Sequence, residues 1–292
     1  MGTAKPQKNY KGFLLPSMHE NASAPYMSLC ELGSLKVGSL EVCVASQQRD
    51  IIAAQELRYK VFFEEMGAPF TPEAFASKRD ADMFDEVCDH LLVIDHLPTG
   101  SYRVVGTYRL IRREAMQKVG RFYSEGEYDI GVIKKHPGEI LEVGRSCVDV
   151  AYRNRAVMQL LWRGIGAYVT RYNIEILFGC ASFHGTDPKE HAMALAYLYH
   201  YHLAPEELRT VALPHRYVEM NVLPKEAVDV KRAFASLPTL IKGYIRLNGY
   251  IGLGAVVDKE YNTTDVSIIV KTELINKKYA HRYGAEAHAV QS

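Results

Sequence analysis

The sequence is short of the features that usually announce a function. No two of its five cysteines (Cys30, Cys43, Cys88, Cys147, Cys180) form a CxxC pair, and their odd number argues against a disulfide framework. Reduced, mostly buried thiols in a cytoplasmic protein are expected instead. No run of about 18 apolar residues is available to span a bilayer, and nothing at the start resembles a signal peptide. Lysine plus arginine number 35 against 34 for aspartate plus glutamate. No global charge therefore recruits nucleic acid, and any basic surface must be local. A P-loop is missing, and Gly252-Leu253-Gly254 lacks the rest of a dinucleotide fingerprint. There is no internal repeat. What remains is 292 residues, 48% hydrophobic and 24% charged, ordinary material for one large domain or one domain with additions.

Residues 1–34 are rich in Pro, Ser, Asn and Gly and read as a loose tail, with Phe13-Leu14-Leu15 able to touch a surface. Leu40 to Val44 alternates as a first strand. Asp50 is the expected N-cap of a helix that carries Ile51, Ala54, Leu57, Arg58, Val61 and Phe62 at helical spacing. That helix should stop near Gly67-Ala68-Pro69. Residues 71–89 form an acidic, irregular loop. His90–Asp95 and Tyr102–Ile111 read as an antiparallel hairpin, and Ile140–Val148 as the central strand. A helix marked by Val157, Leu160, Leu161, Ile165, Tyr168 and Tyr172 follows, then a strand near 175–182 and a helix near 188–202. Leu237–Asn248 looks helical, Val266–Lys271 looks like a last strand, and 276–292 is a polar tail. This order predicts an α/β fold with a mixed, mostly antiparallel sheet over residues 35–275, flanked by helices and ending in a C-terminal extension.

The chemistry is expected around Leu141-Glu142-Val143-Gly144-Arg145-Ser146-Cys147-Val148. Glu142 and Arg145 are unlike charges on an otherwise buried strand, which is costly unless they are used or mutually satisfied. A regular strand sends residues three apart to opposite faces, but a bulge near Gly144 would bring both to one site. A structural ion pair is the equal alternative. Tyr152-Arg153-Asn154-Arg155-Ala156 enters the following helix, where backbone N–H groups and two arginines would cradle a phosphate. Taken alone, the loop reads better as simple solvation of a helix end by arginines. Asp82, Asp85 and Asp89 suit a cationic amine or a solvated loop. No histidine or cysteine stands at ligand spacing for a metal site. His90 and Asp95 have the spacing of a glycerolipid acyltransferase pair, but an intervening strand would part them. His184-Gly185-Thr186-Asp187 is either a polar helix cap or a lining of the site. The 237–250 helix carries Lys242 and Arg246 on an apolar, tyrosine-bearing surface, which suits either a membrane surface or ordinary packing.

Taken together, the element order and the strand–Arg loop–helix resemble the GNAT acyltransferases. The usual Gln/Arg-x-x-Gly-x-Gly/Ala loop is here Arg153-Asn154-Arg155-Ala156-Val157-Met158, without its glycines, which points away from ordinary acetyl-coenzyme A. Arg58 with Val61-Phe62, Asp82-Met83-Phe84-Asp85, Val105-Gly106-Thr107-Tyr108-Arg109-Leu110 and Glu142–Arg145 resemble the charged positions of acyl-homoserine lactone synthases, up to about residue 183. Over roughly 40–274 the chain resembles bacterial ornithine lipid N-acyltransferases and their hemolysin-like kin. That resemblance is carried by Glu142–Val148, by Leu160-Leu161-Trp162-Arg163-Gly164-Ile165 and by Leu177–Pro188. Leu237–Leu247 and Asn262-Thr263-Thr264-Asp265-Val266 add to it.

The resemblance implies transfer of a (3-hydroxy)acyl chain from an acyl carrier protein thioester to the α-amine of an amino acid, ornithine before glutamine, lysine or glycine. No cofactor is implied beyond the carrier's phosphopantetheine arm. Glu142 would be the base, and N–H donors around Arg145 and Ser146 would hold the oxyanion. Arg109 or Arg145 would bind the acceptor carboxylate, and Asp82 or Asp85 a cationic side chain. Arg153, Arg155 and Ala156 would meet the phosphopantetheine phosphate, and Arg163 and Arg171 the acidic carrier. The implied partners are the carrier protein and the amino acid. The implied location is the cytoplasm, free or resting peripherally on the inner membrane.

Overall fold

The computed structural model describes residues 36–275; the two expected tails, and Cys30 with them, lie outside the described residues. The strands are β1 (Lys36–Val37), β2 (Leu40–Val44), β3 (Asp89–His96), β4 (Tyr102–Arg112), β5 (Tyr128–Asp129), β6 (Glu139–Val148), β7 (Ile174–His184), β8 (Val211–Ala212), β9 (Tyr217–Val218), β10 (Tyr250–Asp258) and β11 (Thr263–Lys271). The helices are α1 (Gln48–Tyr59), α2 (Pro72–Ser77), α3 (Arg113–Val119), α4 (Gly131–Lys134), α5 (Arg155–Arg171), α6 (Ala192–His202), α7 (Val230–Ser236) and α8 (Thr239–Arg246). One sheet runs β1-β2-β3-β4-β6-β7-β11-β10-β8-β5. Its long pairings are antiparallel except β6–β7, which is parallel because α5 crosses over between them. The expected mixed, mostly antiparallel sheet is the one observed.

Alternation along the strands sends side chains to two different layers. Leu91, Val93, Leu141, Val143, Leu177 and Val266 face α5, α6 and α8. On the other face Leu92 and Ile94 meet α1, while Ile140, Ile176 and Phe178 meet α3 and α4. The α5 stripe Val157, Leu160, Leu161, Ile165 and Tyr168 is almost fully buried, each side chain contributing about 1.5–3 kcal/mol of gross burial. Gly164 makes that approach fit: a Cβ there would lie 2.7 Å from Val42 Cγ2.

Several expected boundaries move for physical reasons. Asp50 is not the N-cap of α1: the helix starts at Gln48, and the Asp50 carboxylate reaches back to the Ser46 and Gln47 N–H groups at 3.2 Å. The acidic 71–89 segment contains α2, capped by Thr71 accepting from the Ala74 N–H. The 188–202 helix opens as a 3-10 turn before α6. The helix at 237–248 is shorter, α8, and its Ile241, Tyr244 and Ile245 are buried in the core. Its apolar face is packed against protein and is therefore not a lipid-facing surface.

Gly179 governs the centre of the sheet. Its φ is +154° and a Cβ would fall 2.1 Å from the Val143 carbonyl oxygen. The β6–β7 ladder ends one residue earlier, at Glu142↔Phe178. Gly179→Ala is expected to cost about 3 kcal/mol, read as a lower denaturant midpoint with an unchanged slope.

Candidate active site

Beyond Glu142 the two parallel central strands separate, while β6 stays paired with β4. Opposite β4 the register passes from Arg109↔Gly144 to Thr107↔Cys147, so β6 holds one extra residue. Arg145 takes up the difference with φ +51°, a left-handed conformation that costs energy in a non-glycine residue. This is the bulge expected beside Gly144, and it puts Glu142 and Arg145 on the wall of one cleft of ≈ 200 Å³. Ser146, Arg109, Tyr123, Ser124, Cys180 and Asp265 share that cleft. Val143, Tyr108, Ala181 and Tyr244 line it from the α5/α8 side of the sheet. The opening therefore draws on both faces of the sheet.

Glu142 is 2% exposed. Its Oε2 accepts the Tyr123 N–H at 2.8 Å, and its Oε1 accepts the Ser124 N–H at 2.6 Å and also the Ser124 hydroxyl. Burial pushes its pKa upward, against the Ser124 and Tyr123 hydrogen bonds and the Arg109 field, which favour the anion. Oε2 accepts one hydrogen bond from the protein and keeps a lone pair. The arrangement is a fixed carboxylate with proton-accepting capacity at the fork of the sheet.

The neighbouring charges close upon one another. Arg58, 1% exposed, meets Asp80 at 2.7 Å and Asp85 at 2.8 Å. Arg109 meets Asp82 at 2.6 Å and Asp85 at 3.4 Å. Arg145 is held more loosely, 3.5 Å from Asp80 and 3.3 Å from Asp82. Its guanidinium lies 4.8 Å and 4.1 Å from the ring centres of Tyr123 and Tyr261. Burial opposes ionisation of Asp85, but Arg58 and Arg109 outweigh it and hold its pKa at about 2. Three arginines thus answer three aspartates. Asp82 and Asp85 are committed to them, which leaves little negative charge there for a cationic substrate.

The uncompensated acid lies elsewhere, at residues not singled out from the sequence as site residues. Glu127, Asp258 and Asp265 each bring a carboxylate oxygen within 4.8 Å of the others, and all three are buried. Among the described residues none of them makes an ion pair within 4.0 Å. One oxygen on Glu127 and one on Asp265 have no hydrogen-bond partner. Burial first, then repulsion within the cluster, raises the pKa of Glu127; burial raises that of Asp265. The only sequence signal was Asp265, within the Asn262–Val266 segment.

The family relationship can be read beside this geometry. Residues 57–163 match the acetyltransferase (GNAT) domain family. Over 257 residues the chain is 49% identical to the L-ornithine N(alpha)-acyltransferase of Brucella abortus strain 2308, covering 87% of this chain and 92% of that protein. The protein of the same name from Agrobacterium fabrum is 45% identical over 259 residues, 87% of this chain and 88% of its own. The chain belongs to the L-ornithine N(alpha)-acyltransferases. Among solved structures, the AHL synthase LasI aligns with 79% of this chain and 89% of its own at 10% identity and a TM-score of 0.42, too loosely to bear on chemistry.

In this member of the L-ornithine N(alpha)-acyltransferases the Arg loop is only partly open. Asn154 caps α5 and its Oδ1 accepts the Ala156 and Val157 N–H groups at 3.0 and 3.2 Å. Arg153 donates to the Val148 carbonyl at 3.1 Å and pairs with Glu65. Arg155 is exposed at the first position of the helix. The His90–Asp95 pair does not form. The His90 ring lies 3.1 Å from the Asp85 carbonyl oxygen, while Asp95 accepts the Tyr152 hydroxyl at 2.7 Å. That removes the O-acyltransferase reading, since the two groups are bonded to different partners. Asp187 caps the turn at Lys189, and neither it nor His184 lines the cleft.

Proposed function

We propose that this protein moves a (3-hydroxy)acyl chain from an acyl carrier protein thioester to the α-amine of L-ornithine, making a lyso-aminolipid. The observation that carries the transfer chemistry is the fork between β6 and β7 with Glu142 fixed at its base. The acceptor is supported by the L-ornithine N(alpha)-acyltransferase activity for which relatives 49% and 45% identical across almost their whole length are named.

A free α-amine is mostly ammonium near neutral pH, so its proton must leave before or during attack. Glu142 Oε2 accepts that proton. The amine nitrogen bonds to the thioester carbonyl carbon, the tetrahedral oxyanion is held by N–H groups of the bulged strand at Arg145 and Ser146, and the C–S bond breaks. The departing thiolate takes up a proton, ending as the free phosphopantetheine thiol. Arg145 holds the acceptor carboxylate: it lines the cleft, neither of its ion pairs is closer than 3.3 Å, and two tyrosine rings keep its plane in place.

The donor enters from the α5 side, where Arg155 stands ready for the phosphopantetheine phosphate. Cys180 is not an acyl-carrying nucleophile, because burial pushes its thiol pKa far up. Cys43, Cys88, Cys147 and Cys180 form no disulfide, which supports a cytoplasmic setting. No described helix is long and apolar enough to cross a membrane, and a peripheral contact with the inner membrane is part of this proposal.

Purified protein given 3-hydroxyacyl carrier protein, an equimolar amino-acid mixture and S-adenosylmethionine should yield one dominant product by mass spectrometry, N-acyl-ornithine. Absence of any acylated amino acid, with the carrier protein shown to be active, would sink this reading.

A further inference from the structure

Resting on the N-acyltransfer reading, we infer that the buried Glu127–Asp258–Asp265 cluster is the receptor for the side-chain ammonium of the acceptor and so sets its choice of a basic amino acid. The need for such a group is plain in the charge balance. Asp80, Asp82 and Asp85 are answered by Arg58, Arg109 and Arg145, and a substrate cation placed there would meet three arginines. The second group of acids has no such answer. Among the described residues the basic group whose field reaches it is Arg216, which makes no ion pair with the cluster and donates to the Gly126 carbonyl at 3.0 Å and the Val257 carbonyl at 3.4 Å. Unpaired buried carboxylates are expensive, and a ligand cation that completes them recovers that cost on binding.

Position agrees with charge. Asp258 and Asp265 line the same cleft as Glu142 and Arg145. Ser124 and Cys180 span the distance between base and cluster: the Ser124 hydroxyl donates to Glu142, and Cys180 Sγ lies 3.7 Å from Ser124 Oγ. Asp265 pairs in register with Ser182, two residues beyond Cys180 along β7. An amino acid with its carboxylate at Arg145 and its α-amine at Glu142 therefore directs its side chain along β7 toward the cluster. Asp258 Oδ1 is occupied by the Glu260 and Tyr261 N–H groups at 2.8 and 3.3 Å, whereas Glu127 and Asp265 keep bare oxygens. A divalent metal is the rival occupant, but the fixed charge of Arg216 favours a single positive charge over a double one.

Asp265→Asn separates these readings. With 3-hydroxyacyl carrier protein and the full chain, kcat/KM is measured for ornithine and for norvaline, which has the same carbon chain without the terminal amine. In the wild-type protein ornithine should be favoured. In Asp265→Asn the ornithine-to-norvaline ratio should fall on the order of 30-fold or more. The variant should also melt at a higher temperature than wild type in the absence of acceptor, because one member of a repelling buried cluster has become neutral. An unchanged ratio, or activity abolished by EDTA and restored by Mg²⁺, would overturn the inference. A lowered melting temperature would overturn it too, marking the carboxylate as a structural tie. Wild-type protein that acylates no amino acid defeats instead the N-acyltransfer reading on which this rests. Asp258→Asn, measured in the same way, should lower the ratio as well, and an unchanged ratio in it would also overturn the inference.

Discussion

Glu142→Gln should lower kcat by about 10²–10⁴-fold, the usual contribution of a positioned general base. The amide has one acceptor oxygen where the carboxylate has two. Either the Tyr123 N–H or the Ser124 pair must then face an NH₂ group, costing about 1–3 kcal/mol of stability. Both effects are measurable on one preparation, turnover by thiol release and stability by denaturant unfolding. In the wild-type enzyme the rate should rise with pH, since only ionised Glu142 accepts a proton. Burial places that rising limb above the ordinary carboxylate range, and it should disappear in Glu142→Gln. Near-normal turnover in the variant would remove Glu142 as the base.

Arg58→Met is expected to be strongly destabilising. The methionine fills much of the volume but leaves Asp80 and Asp85, 4% exposed each, without their main partner. Breaking a buried network in this way costs about 3–5 kcal/mol, roughly 10 °C of melting temperature for a domain of this size. Activity should fall with it, because Asp80 and Asp82 also hold Arg145.

The same network shapes the response to acid. The Asp85 pKa is lowered from 3.8 to about 2, so the folded state binds that proton less readily than the unfolded chain. Its stabilisation, about 2 kcal/mol, is complete above pH ~4 and is lost as the pH falls toward ~2. A melting-temperature series from pH 6 to pH 2 should show this loss in wild type. The loss should be much smaller in Arg58→Met; an equally steep acid limb in both proteins would contradict the assignment.

The legible parts of this protein were those written locally. Alternation in β3, β4 and β6 and the stripe on α5 are short-range patterns, and the glycine beside two unlike charges was enough to suggest the bulge at Arg145. What stayed hidden depends on pairing across the chain. Asp82 and Asp85 look available in sequence because their partners Arg58 and Arg145 lie 27 and 63 residues away. β10 does not read as a strand in sequence because Gly252 and Gly254 interrupt its pattern. Gly254 has φ +84° and the β10–β11 register shifts beside it. With β10 unrecognised, Asp258 had no place next to Asp265. Glu127 sits between a 3-10 turn and a two-residue strand, in a stretch with no period at all.

The cleft is assembled from lengths of chain that are far apart in the gene. Its fork comes from β6 and β7, residues 139–184, whereas Asp258, Tyr261, Thr263 and Asp265 belong to one hairpin, β10–β11, about eighty residues later. If the acid cluster receives the acceptor, codon changes at Asp258 and Asp265 that spare Tyr261, the ring packed on Arg145, would alter which acceptor is welcomed while Glu142 and the bulged strand stayed as they are.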